Sequence, residues 1–264
     1  MSRLAIIAGQ GALPAALAAS LPEPPFVCAL DGFTPTGLDV DQVFRVERLA
    51  LFLRLLEDQG TTRIAFAGAV QRPRLDPSLF DPQTAQMVPR LLAAMAQGDD
   101  ATLREVIAIF EEAGFEVVGV ESIAPALLPQ AAVLAGEINA QHETDATRAA
   151  AITAALGAVD VGQGCVVANG LCLAVEALPG TDAMLKSLAA IPASLRPKGG
   201  LFYKSAKPGQ DRRIDLPTIG PDTLRLAAEA GLAGVVFEAG SVICLDLPQM
   251  IAFAQAQNLL LWAR

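Results

Sequence analysis

Apolar residues come in short runs, at residues 4–8 (LAIIA), 26–30 (FVCAL), and, each behind one charged residue, within 63–68 (RIAFAG) and 116–120 (EVVGV). Runs of this length without alternation predict strands buried on both faces. Between them the period changes. Residues 48–60 (RLALFLRLLEDQG), 87–97 (MVPRLLAAMAQ) and 101–114 (ATLREVIAIFEEAG) repeat apolar positions every three to four residues and predict helices, with Gly60 and Gly114 as stops and Asp99 or Asp100 as a cap. Strand alternating with helix implies a parallel sheet covered on its faces.

The alternation lapses over residues 122–142, where Pro125 and Pro129 interrupt an apolar stretch, and it resumes near Thr144 in a different style. A helix over 144–160 leads to two short strands, 164–168 and 171–176, joined at Asn169-Gly170, the dipeptide that best suits a two-residue hairpin. Further strands are expected at 201–206, 235–240, 241–246 and 259–263, with helices at 180–191 and 221–234. The expected fold is α/β, with a Rossmann-like parallel-sheet domain over residues 1–130, a linker at 131–143, and a mixed α/β catalytic domain over 144–264.

Composition narrows the function. The chain has 264 residues, a net charge of -9 and a sequence pI near 4.7, which argues against nucleic acid as a partner. It is 53% hydrophobic with a mean hydropathy of +0.44, yet charges and prolines break every run before it could span a bilayer. The N-terminal stretch reads as a strand entering a glycine turn rather than a signal sequence, so a cytoplasmic location is expected. Cys28, Cys165, Cys172 and Cys244 show no C-x-x-C spacing and are expected as small core residues.

Candidate chemistry lies at a few turns. Gly9, Gln10 and Gly11 follow the first strand and open a helix, where backbone could approach a phosphate, or they form a tight turn and nothing more. Gly68, Val70 and Arg72 follow another strand, so the two loops share a sheet edge if those strands are parallel. The dinucleotide fingerprint is incomplete, because Pro14 fills its third glycine position and no acid is read at the end of the second strand; this weighs against a nicotinamide oxidoreductase. The GDD at 98–100 suits a helix cap better than a metal, and the single histidine, His142, is read as structural. In the second half Glu176 ends a strand, and Thr181 and Asp182 open a helix, either as a helix cap or as part of a phosphoryl site. The stretch KSAKPGQDRRIDLPTIG, residues 204–220, concentrates charge that the rest of the chain avoids. Lys204 and Lys207 can neutralise phosphate, and Asp215, held extended before Leu-Pro, can bind Mg2+ or orient water.

GQGALP, FAGAVQRP, GDDATLR, DVGQGCVVANGLCLAVEALPGTDAML and KSAKPGQDRRIDLPTIG, in this order, resemble the UDP-2,3-diacylglucosamine pyrophosphatases of the LpxI type over essentially the whole chain. The resemblance implies a Mg2+-dependent hydrolase of lipid A biosynthesis that yields UMP and 2,3-diacylglucosamine 1-phosphate. It also implies two domains with the UDP-sugar lipid between them and a homodimer; peripheral contact with the inner membrane surface is a further expectation for a lipid substrate. Asp215 falls on the family's critical aspartate, and Asp182 and Glu176 are the expected carboxylate partners for Mg2+. Lys204 and Lys207 would balance the diphosphate, Thr181 would bind a nonbridging oxygen, and Thr218 and Gly220 are candidate substrate contacts with Glu176 and the glycine loops. The alternative is a noncatalytic module that binds a nucleotide sugar or lipid.

Overall fold

The computed structural model describes residues 3–71 and 73–264. Two compact units divide the chain: Met1–Pro125 with Asp211–Asp215, and Ala126–Gln210 with Leu216–Arg264.

In the first unit the strands are β1 (Arg3–Ala8), β2 (Phe26–Leu30), β3 (Gln42–Phe44), β4 (Thr61–Ala67) and β5 (Glu116–Val117). They form one sheet in the order β3-β2-β1-β4-β5 with every pairing parallel. Parallel neighbours need crossovers; α1 (Leu13–Ala19), α2 (Leu49–Asp58), α3 (Thr84–Gln97) and α4 (Asp99–Glu112) lie in these connections, β2 joins β3 through a loop, and a short α5 (Val120–Ile123) follows β5. One face of α2 buries Leu49, Phe52, Leu53 and Leu56, and Gly60 with φ +69 follows its end, as its sequence predicts. Phe52, Phe66, Phe110 and Phe115 meet in this core. At the GDD the cap is Gly98, with φ +125, and Asp99 and Asp100 stand in the first turn, where their negative charge complements the positive end of the helix dipole. Asp100 also pairs with Arg104 at 2.7 Å, one turn on.

In the second unit the strands are β6 (Ala132–Ala135), β7 (Gly164–Ala168), β8 (Leu171–Val175), β9 (Leu201–Lys204), β10 (Thr218–Ile219), β11 (Gly234–Phe237), β12 (Ile243–Cys244) and β13 (Leu260–Ala263). Its helices are α6 (Ala140–Ala158), α7 (Gly180–Ala189), α8 (Pro221–Glu229) and α9 (Leu247–Ala256). The main sheet runs β6-β13-β11-β9-β7-β8, with β9, β11 and β13 parallel and the rest antiparallel, and β10 pairs only with β12.

The expected linker at 131–143 contains β6 and the first turn of α6. Its order comes from pairing with β13, more than a hundred residues away, which no local pattern reveals. Asn139 caps α6 by accepting from the His142 amide at 2.8 Å, and His142 folds back toward the Asn139 amide, so the only histidine is a capping residue. The Asn169-Gly170 hairpin is present with both residues at positive φ, and buried Asp145 accepts from both of its amides at 3.0 and 2.7 Å. Three cysteines are core residues as expected, but Cys172 is exposed, because β8 is an edge strand. Among the described residues no helix is long and apolar enough to cross a membrane.

Candidate functional site

Three of the expected residues meet in the second unit. Lys204 ends β9, an interior strand between β7 and β11, so its side chain is forced out of water and only 5% of the residue is exposed. A lysine so placed needs a partner. Its ammonium donates to Glu176 Oε1 and Oε2 at 3.2 and 3.1 Å and to Thr181 Oγ1 at 2.5 Å. Glu176 reaches it because β8 ends one residue earlier and the Glu176 amide donates to the Gly164 carbonyl at 2.8 Å. Thr181 reaches it from the first turn of α7.

Two glycines missed as site residues make this cluster possible. A Cβ at Gly164 would stand 2.6 Å from Glu176 Oε2, and one at Gly162 would overlap the Glu176 carbonyl. The signal was present in the GQG of residues 162–164, but which side chain needs the space is a tertiary fact.

Lys204 takes a lone pair of the Thr181 hydroxyl, which leaves the hydroxyl proton to donate elsewhere. Neither Thr181 nor Asp182 caps α7; Pro179 is its N-cap, with no side-chain bond to the first-turn amides. An exposed Asp182 stands in that turn. Hydroxyl, buried cation and helix N-terminus together can bind an anionic oxygen.

Beyond Lys204 the chain is pinned residue by residue. Ser205 donates to Thr153 Oγ1 at 3.1 Å, the Ala206 amide to Glu238 at 3.1 Å, and Lys207 to Asp160 at 2.5 Å. Lys207 is therefore engaged at Asp160 rather than at the Glu176 cluster, and Gln210 accepts from the Lys207 amide and from Gln163, both at 3.0 Å.

Residues 211–215 belong to the first unit. Asp211 accepts from the Arg213 side chain at 2.7 and 3.0 Å and from its amide at 3.0 Å, while Arg213 also donates to Glu111 at 2.6 Å. The Arg213 hydrogen bonds outweigh burial and hold the Asp211 carboxyl below the usual aspartate range. Gly119 lets the backbone of Arg213 come close, since a Cβ there would lie 3.0 Å from Arg213 Cα. Ile214 packs on the phenylalanine core, and the Asp215 amide closes a turn on the Asp211 carbonyl at 3.2 Å. Asp215, half-buried, is thus presented from an anchored turn. Thr218 lies in β10, and Gly220 is the N-cap of α8.

At the other glycine loops the reading changes. Gly9 directly follows β1 and Gly68 directly follows β4, on the same carboxyl edge, as expected from parallel strands. Their backbones close on each other. The Gly9 amide donates to Ala67 at 2.7 Å, the Gln10 amide to Ala69 at 2.8 Å and the Ala69 amide to Gln10 at 2.9 Å, so these amides are already spent. A Cβ at Gly9 would stand 2.6 Å from the Ala69 carbonyl, which is the reason for glycine there. The following helix has only seven residues, with Pro14 in its first turn. Gly11 has φ +95, and Val70 is exposed. Arg72 lies outside the described residues. Asp31 directly follows β2, so the acid read as missing at the end of the second strand is present. The strand bounds expected from sequence, 26–30, are those observed, so Asp31 was already next to the strand end.

The expected Mg2+ set was Asp215, Asp182 and Glu176. Among the described residues no three carboxylate, histidine or cysteine side chains gather as a metal-binding group. Both Glu176 oxygens already face an ammonium, which supplies the positive charge an ion would bring. Within the second unit Glu176 is thus engaged by Lys204.

The fold class is two-domain α/β, a Rossmann-like unit and a mixed-sheet unit whose polar cluster has the make-up of an anion site. Residues 3–127 match the LpxI N-terminal domain and residues 129–262 the LpxI C-terminal domain, and the chain belongs to the LpxI family. It is 37% identical over 264 residues to the UDP-2,3-diacylglucosamine pyrophosphatase LpxI of Caulobacter vibrioides (strain ATCC 19089 / CIP 103742 / CB 15), covering 96% of this chain and 94% of that one.

Proposed function

We propose that the chain hydrolyses the pyrophosphate bond of UDP-2,3-diacylglucosamine to UMP and 2,3-diacylglucosamine 1-phosphate, a step of lipid A biosynthesis. The observation that carries this is the likeness to a UDP-2,3-diacylglucosamine pyrophosphatase along nearly the whole chain.

In this reading water attacks one phosphorus and the bridging oxygen leaves on the other, so the protein's task is positioning and charge stabilisation. Asp215 orients the attacking water, from a turn that the Asp211–Arg213–Glu111 contacts hold in place. The Thr181 hydroxyl, its lone pair taken by Lys204, donates its proton to a nonbridging oxygen together with the first-turn amides of α7. Lys204 acts through Glu176 and Thr181, and Lys207 fixes the loop that leads toward Asp215. Asp182 stands beside these amides as a candidate contact. Mg2+ belongs to the same proposal: the Asp215 or Asp182 carboxylate would help to hold it, and it would supply positive charge to the diphosphate. A homodimer in the cytoplasm, in peripheral contact with the inner membrane, belongs to the same proposal; exposed Leu171, Leu178 and Leu195 favour an apolar contact.

The test is release of UMP from UDP-2,3-diacylglucosamine by the purified chain and by Asp215→Ala. Turnover by the parent and none by the variant, with substrate still bound, is the expected result. Equal turnover would remove Asp215 from the mechanism. Binding without turnover by the parent would leave a noncatalytic binding module.

A further inference from the structure

All four lysines of the chain fall within residues 186–207, and no acidic residue stands between Asp182 and Asp211, in a chain whose net charge is -9. Lys204 and Lys207 are engaged by Glu176 and Asp160. Lys186, in the last turn of α7, and Lys198, in the loop after it, are exposed and meet no carboxylate among the described residues. Between them in the chain, large apolar side chains stand in the open: Ile191 is 40% exposed and Leu195 75%.

Contacts on either side hold this segment in place. Leu195 closes a short helical turn, Ala193–Leu195, and the next residue, Arg196, donates from its guanidinium to the Ala230 carbonyl at the end of α8. Glu229, beside Ala230, is paired with Arg225 at 2.9 Å, so it does not cancel the lysines. Past Lys198, Gly200 lies so near β7 that a Cβ there would stand 2.7 Å from Ala168 Cβ. Ala168 in turn pairs with Leu171, the first residue of β8, which is itself 60% exposed. The anchors on α8 and β7 therefore keep Leu195 in water instead of letting it fold back on the core, and the Asn169-Gly170 hairpin brings Leu171 to the same end of the sheet.

Apolar tips flanked by unpaired cations suit a partner that is oily within and anionic at its surface. The net charge of the chain does not oppose this, because charges farther than about 8 Å are screened at physiological ionic strength and the local sign decides. A second copy of the chain fits less well. A twofold contact on this patch would set Lys186 and Lys198 near the same lysines of the other copy, with no acid between residues 183 and 210 to answer them. We propose that Leu171, Ile191 and Leu195, with Lys186 and Lys198, form the surface by which the chain docks on an anionic phospholipid bilayer. This rests on the proposed function for the expectation of a membrane contact, and goes beyond it in naming the surface and the lipid charge that it needs. Helix α7 has Thr181 in its first turn and Lys186 in its last, so the docking surface and the anion cluster are built on one helix.

The test is flotation of the full chain with vesicles of phosphatidylcholine alone and of phosphatidylcholine and phosphatidylglycerol in equal parts. The chain is expected to float with the anionic vesicles only, and to be released at high salt. Lys186→Gln combined with Lys198→Gln should weaken that binding roughly tenfold or more, since each cation near the surface contributes, and Leu195→Ser should do so by a similar factor. Leu92→Ser, which alters an exposed leucine of α3, should change nothing. No flotation with anionic vesicles, equal flotation with both kinds, or parent-like binding by the lysine variant overturns the proposal, as does a loss with Leu92→Ser as large as with Leu195→Ser. If Leu195→Ser melts early, the lysine variant, changed only at exposed positions, decides by itself. Sedimentation velocity tests the other occupant: self-association that Leu195→Ser abolishes, without vesicle binding, gives the surface to a second copy and overturns lipid docking. Turnover of UDP-2,3-diacylglucosamine dispersed in detergent separates the two readings. Vesicle binding by a parent that hydrolyses nothing leaves the docking surface standing, and hydrolysis without vesicle binding leaves only the hydrolase.

Discussion

The Lys204 ammonium lies 3.1 Å from Glu176 Oε2 with both side chains almost wholly withdrawn from water, at 6% and 11% exposure. Removing one partner strands the other charge in the interior. Lys204→Met and Glu176→Gln are each expected to cost about 3–5 kcal/mol, while the double variant costs clearly less than the sum. Urea unfolding of the three variants measures this, and additive losses would show that the pair is not coupled. Gly164→Ala, whose new Cβ would press on Glu176 Oε2, should resemble the Glu176 variant more than an ordinary glycine replacement.

Arg213 holds Asp211 below its ordinary value of 3.8 through direct hydrogen bonds. A depressed folded value means stability that is complete above 3.8 and is lost as pH falls below it through the lower folded value. Asp211→Asn should therefore flatten the acid limb of the stability curve and change nothing in its shape near neutrality. Thermal unfolding across pH reads this out. An unchanged acid limb would mean the pair forms equally in the unfolded chain.

Arg213 also anchors the turn that carries Asp215. Arg213→Ala is expected to lower kcat by up to roughly a hundredfold with little change in KM, since misplacement alone costs that much. Arg213→Lys should recover only part, because a lysine cannot hold Asp211 and Glu111 through one planar fork. A rise in KM at constant kcat would instead place Arg213 in binding.

With both Glu176 oxygens engaged by Lys204, Mn2+ is expected to bind the free chain weakly and to bind more tightly with a diphosphate ligand present. Electron paramagnetic resonance of Mn2+ with and without UDP measures both states. Equally tight binding in the two states would contradict this expectation.

Cys172 is exposed, whereas burial pushes the thiols of Cys28, Cys165 and Cys244 up to about 12. A thiol reagent at neutral pH should modify one cysteine of the native chain quickly and the other three only on unfolding. Mass mapping of the fast adduct to any other position would contradict the assignment of β8 as an edge.

The elements of both units were legible along the chain wherever local physics decides them. Apolar runs became β1, β2 and β4, the heptad-like stripe of 48–60 became α2, and Asn169-Gly170 became a hairpin because only residues tolerant of positive φ suit that turn. The crowding of charge in 204–215 likewise marked a segment with a task. Contacts between distant residues were not legible. β6 looked like linker because its partner strand lies more than a hundred residues further along, and the packing of Gly9 against the Ala69 backbone, some sixty residues away, could not be read locally. Asp31 was overlooked at the end of β2, and Lys204, read as a free charge for diphosphate, is spent on Glu176 and Thr181. Local sequence carries propensity and pattern over a few residues; which charge is buried beside which is settled only when the strands are brought side by side.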